Sequence, residues 1–367
     1  MKRRAFLDTG LAMLGAAVIA GCTSDAIQDD EDSQSNGSGF PSYDLPPYGE
    51  WIPHESHTPE ESTGVYFTHV DWGSLDELEG GEDVEDEEWA DIVEQVPIIG
   101  LPFYGALITP FTLLGIMFYP FAGDILPDNG GSVDGVETST VTWTDDLLIF
   151  HGEYDTGVFE AQYTDGFAAT EDQEGFTIYV GNDGATDGLA YALSEETLVV
   201  GMDPGDSGAY EPEELVANAL NRYTGESDRM MDDEDGRWLF ETTGQVQMAF
   251  GAWESDDLMD ALDTDNAQND GTDADENGLD AEPDGEAASV FNTVESVLNT
   301  ISYSVENGEM TDIDARFSAI YPEDSVPSEE EVREHLIGEA DVPHEIIIDG
   351  TRVHATATFE EEPDVLA

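Results

Sequence analysis

Cysteine and lysine are almost missing from this chain of 367 residues, with Cys22 and Lys2 occurring once each. A single thiol excludes an internal disulfide and any redox or metal chemistry that needs two cysteines. Basic residues are scarce as a class, 9 Lys and Arg against 85 Asp and Glu, for a formal net charge of −76. A polyanion of that strength repels a phosphate backbone, which excludes nucleic acid as a partner. The same charge would disrupt a compact domain in dilute buffer. At molar salt the Debye length shrinks to about 3 Å and the repulsion becomes local, so the composition points to a protein that folds in concentrated salt. Disorder over the full length is excluded in turn, because 39% of the residues are hydrophobic and 10% aromatic, more than an unfolded polyanion carries.

The basic residues at the start stand together. Lys2-Arg3-Arg4 is followed by Phe6-Leu7, an apolar run from Leu11 to Ala20, and Gly21-Cys22. A charged head, a short apolar middle and small residues before a cleavage point make an export leader rather than a membrane span. The Arg pair resembles the twin-arginine export pattern, and Ile19-Ala20-Gly21-Cys22 resembles a lipobox, in which the cysteine becomes the first mature residue and its sulfur carries a lipid. With its acidic composition, the chain resembles the haloarchaeal twin-arginine-exported lipoproteins. That resemblance rests on the first 22 residues and the composition. It implies a signal peptide over 1–21, lipidation at Cys22 and placement on the extracellular face of the cell membrane, and it brings no activity with it. Removal of residues 1–21 takes away three basic and one acidic residue, so the mature chain would carry −78 and no lysine.

Residues 22–62 are mostly Asp, Glu, Ser, Gly and Pro, a composition that cannot offset the entropy of ordering and predicts a disordered acidic tether. Asn36-Gly37-Ser38 within it is the chain's N-glycosylation sequon, and an exposed tether makes Asn36 the candidate acceptor.

A single α+β domain is expected over 63–360, built of antiparallel sheets with a few packed helices. Val65 to Trp72 alternates as a strand, and hairpin-sized units follow at Val141–Trp143, Leu147–Tyr154, Phe176–Val180, Leu189–Ser194 and Thr197–Met202. Glu211 to Thr224 reads as a helix with Pro212 in its first turn and Gly225 as its stop, and a second helical segment is expected from about 228 to 242. Val246–Trp253 resembles Val65–Trp72. It too precedes an insertion and a hairpin, Ile301–Glu306 with Met310–Tyr321. Ser328 and Glu331 form a capping box opening a helix to Ile337, and a last hairpin turns at Asp349-Gly350, with Val353, Ala355, Ala357 and Phe359 facing in and Arg352, His354, Thr356 and Thr358 facing out. The shared order makes 63–225 and 226–360 two pseudo-repeats of a diverged duplication.

Two insertions stand out. Residues 256–286 are rich in Asp, Asn and Gly and predict an acidic disordered loop. Gln95 to Gly123, in contrast, is 29 residues without a charge, which this composition would produce by chance with a probability of roughly 10⁻⁴. Pro97, Pro102, Pro110 and Pro120 break it, so the expectation is an apolar hairpin of two short helices meeting near Thr109-Pro110. Such a hairpin enters a membrane and returns, is buried in the domain's own core, or meets a partner.

Motifs for chemistry are weak. Gly205-Asp206-Ser207-Gly208 is turn chemistry with no base proposed for the serine. Asp273 to Asp284 has part of a calcium-loop spacing, spoiled by Asp280 and Pro283. His54 and His57 lack a third ligand, and His69 reads as a hydrogen-bonded core or edge residue. No catalytic residue, metal site or cofactor is assigned. The expected function is that of a non-catalytic, lipid-anchored cell-surface protein that binds membrane lipid through Cys22 and residues 95–123. The alternative is a ligand-binding lipoprotein serving a transporter, which requires a cleft between the halves lined by Trp72, Trp143 and Trp253.

Overall fold

The computed structural model describes residues 39–55, 64–75, 96–102, 134–144, 147–182, 186, 188–202, 211–254, 290, 293–306, 309–338 and 342–359. Its strands are β1 (Val65–Asp71), β2 (Val136–Thr144), β3 (Leu147–Tyr154), β4 (Phe167–Gln173), β5 (Phe176–Gly181), β6 (Leu189–Leu193), β7 (Thr197–Met202), β8 (Met248–Trp253), β9 (Ser296–Glu306), β10 (Glu309–Ile320), β11 (His344–Asp349) and β12 (Arg352–Phe359). All join in one 12-stranded sheet of order β11-β12-β10-β9-β8-β1-β2-β3-β7-β6-β5-β4, and each neighbouring pair is antiparallel. The fold is therefore α+β, with one continuous sheet where several were expected.

Both faces of the sheet are covered, which is why many strands read as apolar runs rather than clean alternations. On the front face, Val141, Phe150, Tyr191 and Val200 form one cluster, and Val70, Met248, Phe250, Ile301 and Phe317 another. Helix α1 (Thr156–Tyr163), capped by the Asp155 carboxylate accepting from Val158 N–H, lays Phe159 and Tyr163 on the first cluster. Val332, Leu336 and Ile337 cover the second. They come from α4 (Glu329–Val332), opened by the expected Ser328–Glu331 capping box, and from the π-helical turn Arg333–Ile337 that continues it up to Gly338 at φ 75.

On the back face, α2 (Pro212–Tyr223) packs Leu215, Val216, Ala219 and Leu220 on β3, β6 and β7, and α3 (Glu234–Thr243) lies over β9 and β10, with Phe240 reaching Phe67 of β1. Phe67 lies flat against its cross-strand partner Gly251, where any Cβ would run into the ring. His354, expected to face outward, does point to the back face. That face is not solvent: His354 is 1% exposed beneath Phe40 and α3, and Ser318 Oγ, 2.9 Å from its Nδ1, links it to Thr242.

From β1 outward the sheet runs β1-β2-β3-β7-β6, and from β8 outward β8-β9-β10-β12-β11, with the β5–β4 hairpin added beyond β6. Val141 pairs with Val70, Ile301 pairs with Met248, and Val70 and Met248 pair with each other. A local two-fold axis normal to the sheet thus passes by the Val70–Met248 pair. Setting Val65–Trp72 against Val246–Trp253 residue by residue does not respect this axis, because Phe67 and Met248 then correspond although they point to opposite faces. Strand β4 and helix α1 lay outside the expected elements.

Two expected boundaries are corrected. Residues 39–55, assigned to the tether, are folded: a 3₁₀ turn spans Pro47–Trp51, Pro53 bridges to Arg229, and Phe40, Tyr48, Trp51 and Ile52 are all buried. The apolar run begins as core. Its residues 97–102 are helical, and Val96, Ile98, Ile99 and Leu101 are packed into the front cluster of the β8–β10 half. Residues 103–123 and the loop 256–286 lie outside the described residues. Among the described residues no helix is long and apolar enough to cross a membrane.

Candidate functional site

The most elaborate arrangement of polar and aromatic side chains lies on the back face, where the segment from Phe40 to Pro53 crosses the seam between the two halves. Its composition hides a strap: few apolar residues, but each one is used. Phe40 stands edge-on to Trp238 at 5.2 Å, with His354 beyond it at 6.5 Å. Tyr43 donates its N–H to the Glu241 carbonyl at 2.7 Å and lies under the Arg316 guanidinium at 4.3 Å. Tyr48 stacks on the His69 ring at 4.3 Å, and Trp51 stacks on Tyr223 of α2 at 4.6 Å. The Trp51 carbonyl accepts from Arg222 Nε at 3.2 Å, and the His54 carbonyl accepts from Trp253 Nε1 at 3.1 Å. The strap therefore touches β12, β10 and α3 in one half and β1, β3 and α2 in the other.

Beneath it sit two histidines. His69 Nδ1 is 2.8 Å from Thr142 Oγ1, and His151 Nδ1 is 3.0 Å from Thr197 Oγ1. The Trp51 ring lies 5.7 Å from His151. Burial, with a smaller contribution from neighbouring His151, pushes the His69 imidazole down to about 3, and burial pushes His151 down to about 4. Both rings are neutral across the physiological range. Burial also raises the Tyr48 phenol well above its ordinary value. Among the described residues each neutral imidazole is paired to a threonine, not to a carboxylate of the kind that orients a general base. What the arrangement does is mechanical, since it fixes the strap to the sheet through buried, geometrically specific contacts.

A second feature is a concavity of about 450 Å³ between α1, β5 and the β6–β7 turn, lined by Thr156, Glu160, Thr177, Ser194, Glu195 and Glu196 among others. Its carboxylates do not converge: the Glu160 side chain accepts from Tyr179 Oη at 2.5 Å, and among the described residues no group of three His, Cys, Asp or Glu could hold a metal.

The residues singled out in the sequence fall as follows. Cys22, Asn36, His57, Ser207 and the 273–284 stretch lie outside the described residues. His54 is used through its backbone carbonyl, and its ring stands edge-on to Trp253. His69 is the hydrogen-bonded core residue expected of it. Trp72, Trp143 and Trp253 do not line one cleft: Trp143 packs on the front face of the β2–β3 half, Trp72 on the front cluster of the other half, and Trp253 on the back face. Among the described residues the halves meet edge to edge, β1 pairing directly with β8 over six residue pairs. Tyr48, Trp51 and His151 were missed; an aromatic residue every few positions in an otherwise polar stretch was the available signal.

Fold and site together define an antiparallel α+β protein whose N-terminal strap stitches the two halves of one sheet. No protein-family model, curated protein or solved structure matches the chain.

Proposed function

We propose that the chain is a lipid-anchored, non-catalytic protein of the extracellular face of the cell membrane in a salt-rich environment. The observation that carries this reading is the strap. A chain held to a membrane by its first mature residue needs its tether to end in something that does not peel away, and the segment that follows the lipobox-like Cys22 becomes buried core within some twenty residues, at Phe40. Pulled from its N-terminal end, the chain loads Phe40 between Trp238 and His354 first, then the Tyr48–His69 and Trp51–Tyr223 stacks. The direct β1–β8 pairing supports the anchored reading over that of a solute-capturing lipoprotein, which calls for a cleft between the halves.

A second membrane attachment through the apolar run is retained in narrower form. Residues 96–102 belong to the domain core, so insertion falls to residues 103–123. One acyl-type anchor gives only marginal, reversible membrane binding, which is why a second contact has a use. Fractionation of cells in molar salt tests both parts. Cys22→Ser should release the protein from membranes in part. Complete release assigns the whole attachment to Cys22, and unchanged retention contradicts lipid anchoring.

A further inference from the structure

We infer that β11, the edge strand of the second half, is a homodimerisation edge that pairs with β11 of a second copy of this chain. The two ends of the sheet are built differently. In the first half the outer edge of β6 is covered by β5, and the sheet then ends at β4, whose pairing with β5 shifts register between Ala169 and Asp172 and whose sequence there carries Glu171-Asp172. A bulge and charges are the usual devices that keep an edge from pairing. In the second half β11 occupies the place that β6 has in the first, next to the strand that closes the half, and among the described residues no further strand pairs with it.

This open edge carries charge too, at Glu345 and Asp349, but it has no bulge. β11 reads His-Glu-Ile-Ile-Ile-Asp with no proline, no lysine and an unbroken register against β12. Ile348 is 37% exposed, one of three large hydrophobics so exposed among the described residues, while Ile346 packs partly on the front cluster and Ile347 partly on the back one. A strand added here would extend both apolar layers.

The strand is self-complementary in one register. An isologous pair must keep each side chain on its own face, so opposed residues have the same parity. Centred on Ile346, the pairing sets Ile346 against Ile346 of the partner, His344 against Ile348 and Glu345 against Ile347, and no two acidic residues face each other. Centred on Ile347, it sets Glu345 against Asp349, a like-charge pair that is destabilising. Centred on Ile348, only residues 347–349 of the strand would face one another, so the register centred on Ile346 is the one that pairs most of the strand without opposed acids, and it favours a second copy as the occupant.

The dimer axis is normal to the sheet, so the back faces of both copies, and with them both straps, look the same way. Two tethers then leave from one side. This last step rests on the lipid anchor proposed above: two marginal anchors on one particle bind with the avidity that neither has alone.

The edge pairing itself is tested on the fraction of the Cys22→Ser protein that is released from membranes, which contains no cysteine. Directly opposed Cα atoms in an antiparallel pair are about 4.5 or 5.5 Å apart, within disulfide reach. Under mild oxidation in molar salt, Ile346→Cys is expected to give a disulfide-linked dimer. Asp349→Cys is not, because two such positions lie about 20 Å apart at 3.3 Å per residue. Ile348→Glu, confirmed as folded by circular dichroism, is expected to weaken the dimer at least ten-fold in sedimentation equilibrium. A monomer at all concentrations, or equal cross-linking at 346 and 349, overturns the proposal. In the lipidated protein Ile348→Glu should raise the fraction released from membranes; unchanged release with an intact lipid overturns the two-anchor step and leaves the dimer standing.

Discussion

Replacing Trp51 by alanine separates a structural strap from a tether that merely rests on the sheet. Trp51 is 1% exposed, stacks on Tyr223 at 4.6 Å with an 11° interplanar angle, approaches His151, and packs in the back cluster with Ile149, Leu215 and Ala219. Truncating a buried tryptophan forfeits its transfer energy and leaves a cavity that backbone on one side and a β-sheet on the other cannot close, a cost of about 3 to 5 kcal/mol. The Arg222–carbonyl bond survives in Trp51→Ala because its acceptor is backbone. Domains of ordinary stability have about 5 to 15 kcal/mol in total, so the variant should lose a large share of it and still fold in molar salt. Urea unfolding followed by far-UV circular dichroism, on matched Cys22→Ser backgrounds, reads the difference. Tyr43→Ala is the control, since Tyr43 is 36% exposed and its contact with Arg316 is a surface cation–π pair worth about 0.5 to 1 kcal/mol. A Trp51→Ala cost below about 1 kcal/mol, equal to that of Tyr43→Ala, would refute the strap.

Stability should fall on acidification before the carboxylates titrate. His69, His151 and His354 are held neutral in the fold, at about 3, 4 and 4, so the unfolded chain binds more protons below its own histidine range near 6.5. Their contribution is full above that range and is lost progressively as pH falls from about 6.5 to the folded values of about 4 and 3, by at most about 1.4 kcal/mol per pH unit for each ring; a flat urea midpoint between pH 7 and 5 contradicts it. Dilution from molar salt to about 0.1 M should unfold the domain, because 9 basic residues face 85 acidic ones and the repulsion is then unscreened. Unfolding that is independent of salt would contradict the charge argument. Ile98→Ala, at a fully buried position of the apolar run, should cost about 2 to 5 kcal/mol, and a negligible change in the urea midpoint would remove residues 96–102 from the core. Deleting 256–286 while keeping Val290, whose carbonyl accepts from Tyr321 Oη, should leave the urea midpoint unchanged, and loss of cooperative unfolding would contradict it.

Local signals in the sequence carried well into the structure. The Ser328–Glu331 box, Pro212 at a helix start and Gly350 in a hairpin turn each act over four residues or fewer, and each sits where its chemistry placed it. Strand order was not legible, since nothing near Leu147 says that β3 will pair with β7 fifty residues on. His354 was misread because alternation distinguishes faces and does not say whether the second face is covered. Phe167–Gln173 was missed because an edge strand with Thr170-Glu171-Asp172 has the composition of a loop. The strap was missed for the same reason: mean composition over residues 22–62 is polar, whereas burial there depends on Phe40, Tyr48, Trp51 and Ile52 alone. The leader and Cys22 remain readings of the sequence.

Mass spectrometry of the mature N-terminal peptide, taken from membranes of the producing cell, tests the anchored reading most directly. The account predicts a first residue at Cys22 that carries lipid mass on its sulfur and is followed by Thr23-Ser24-Asp25. A mature chain that begins elsewhere, or a Cys22 with a free thiol behind an intact leader, would contradict it.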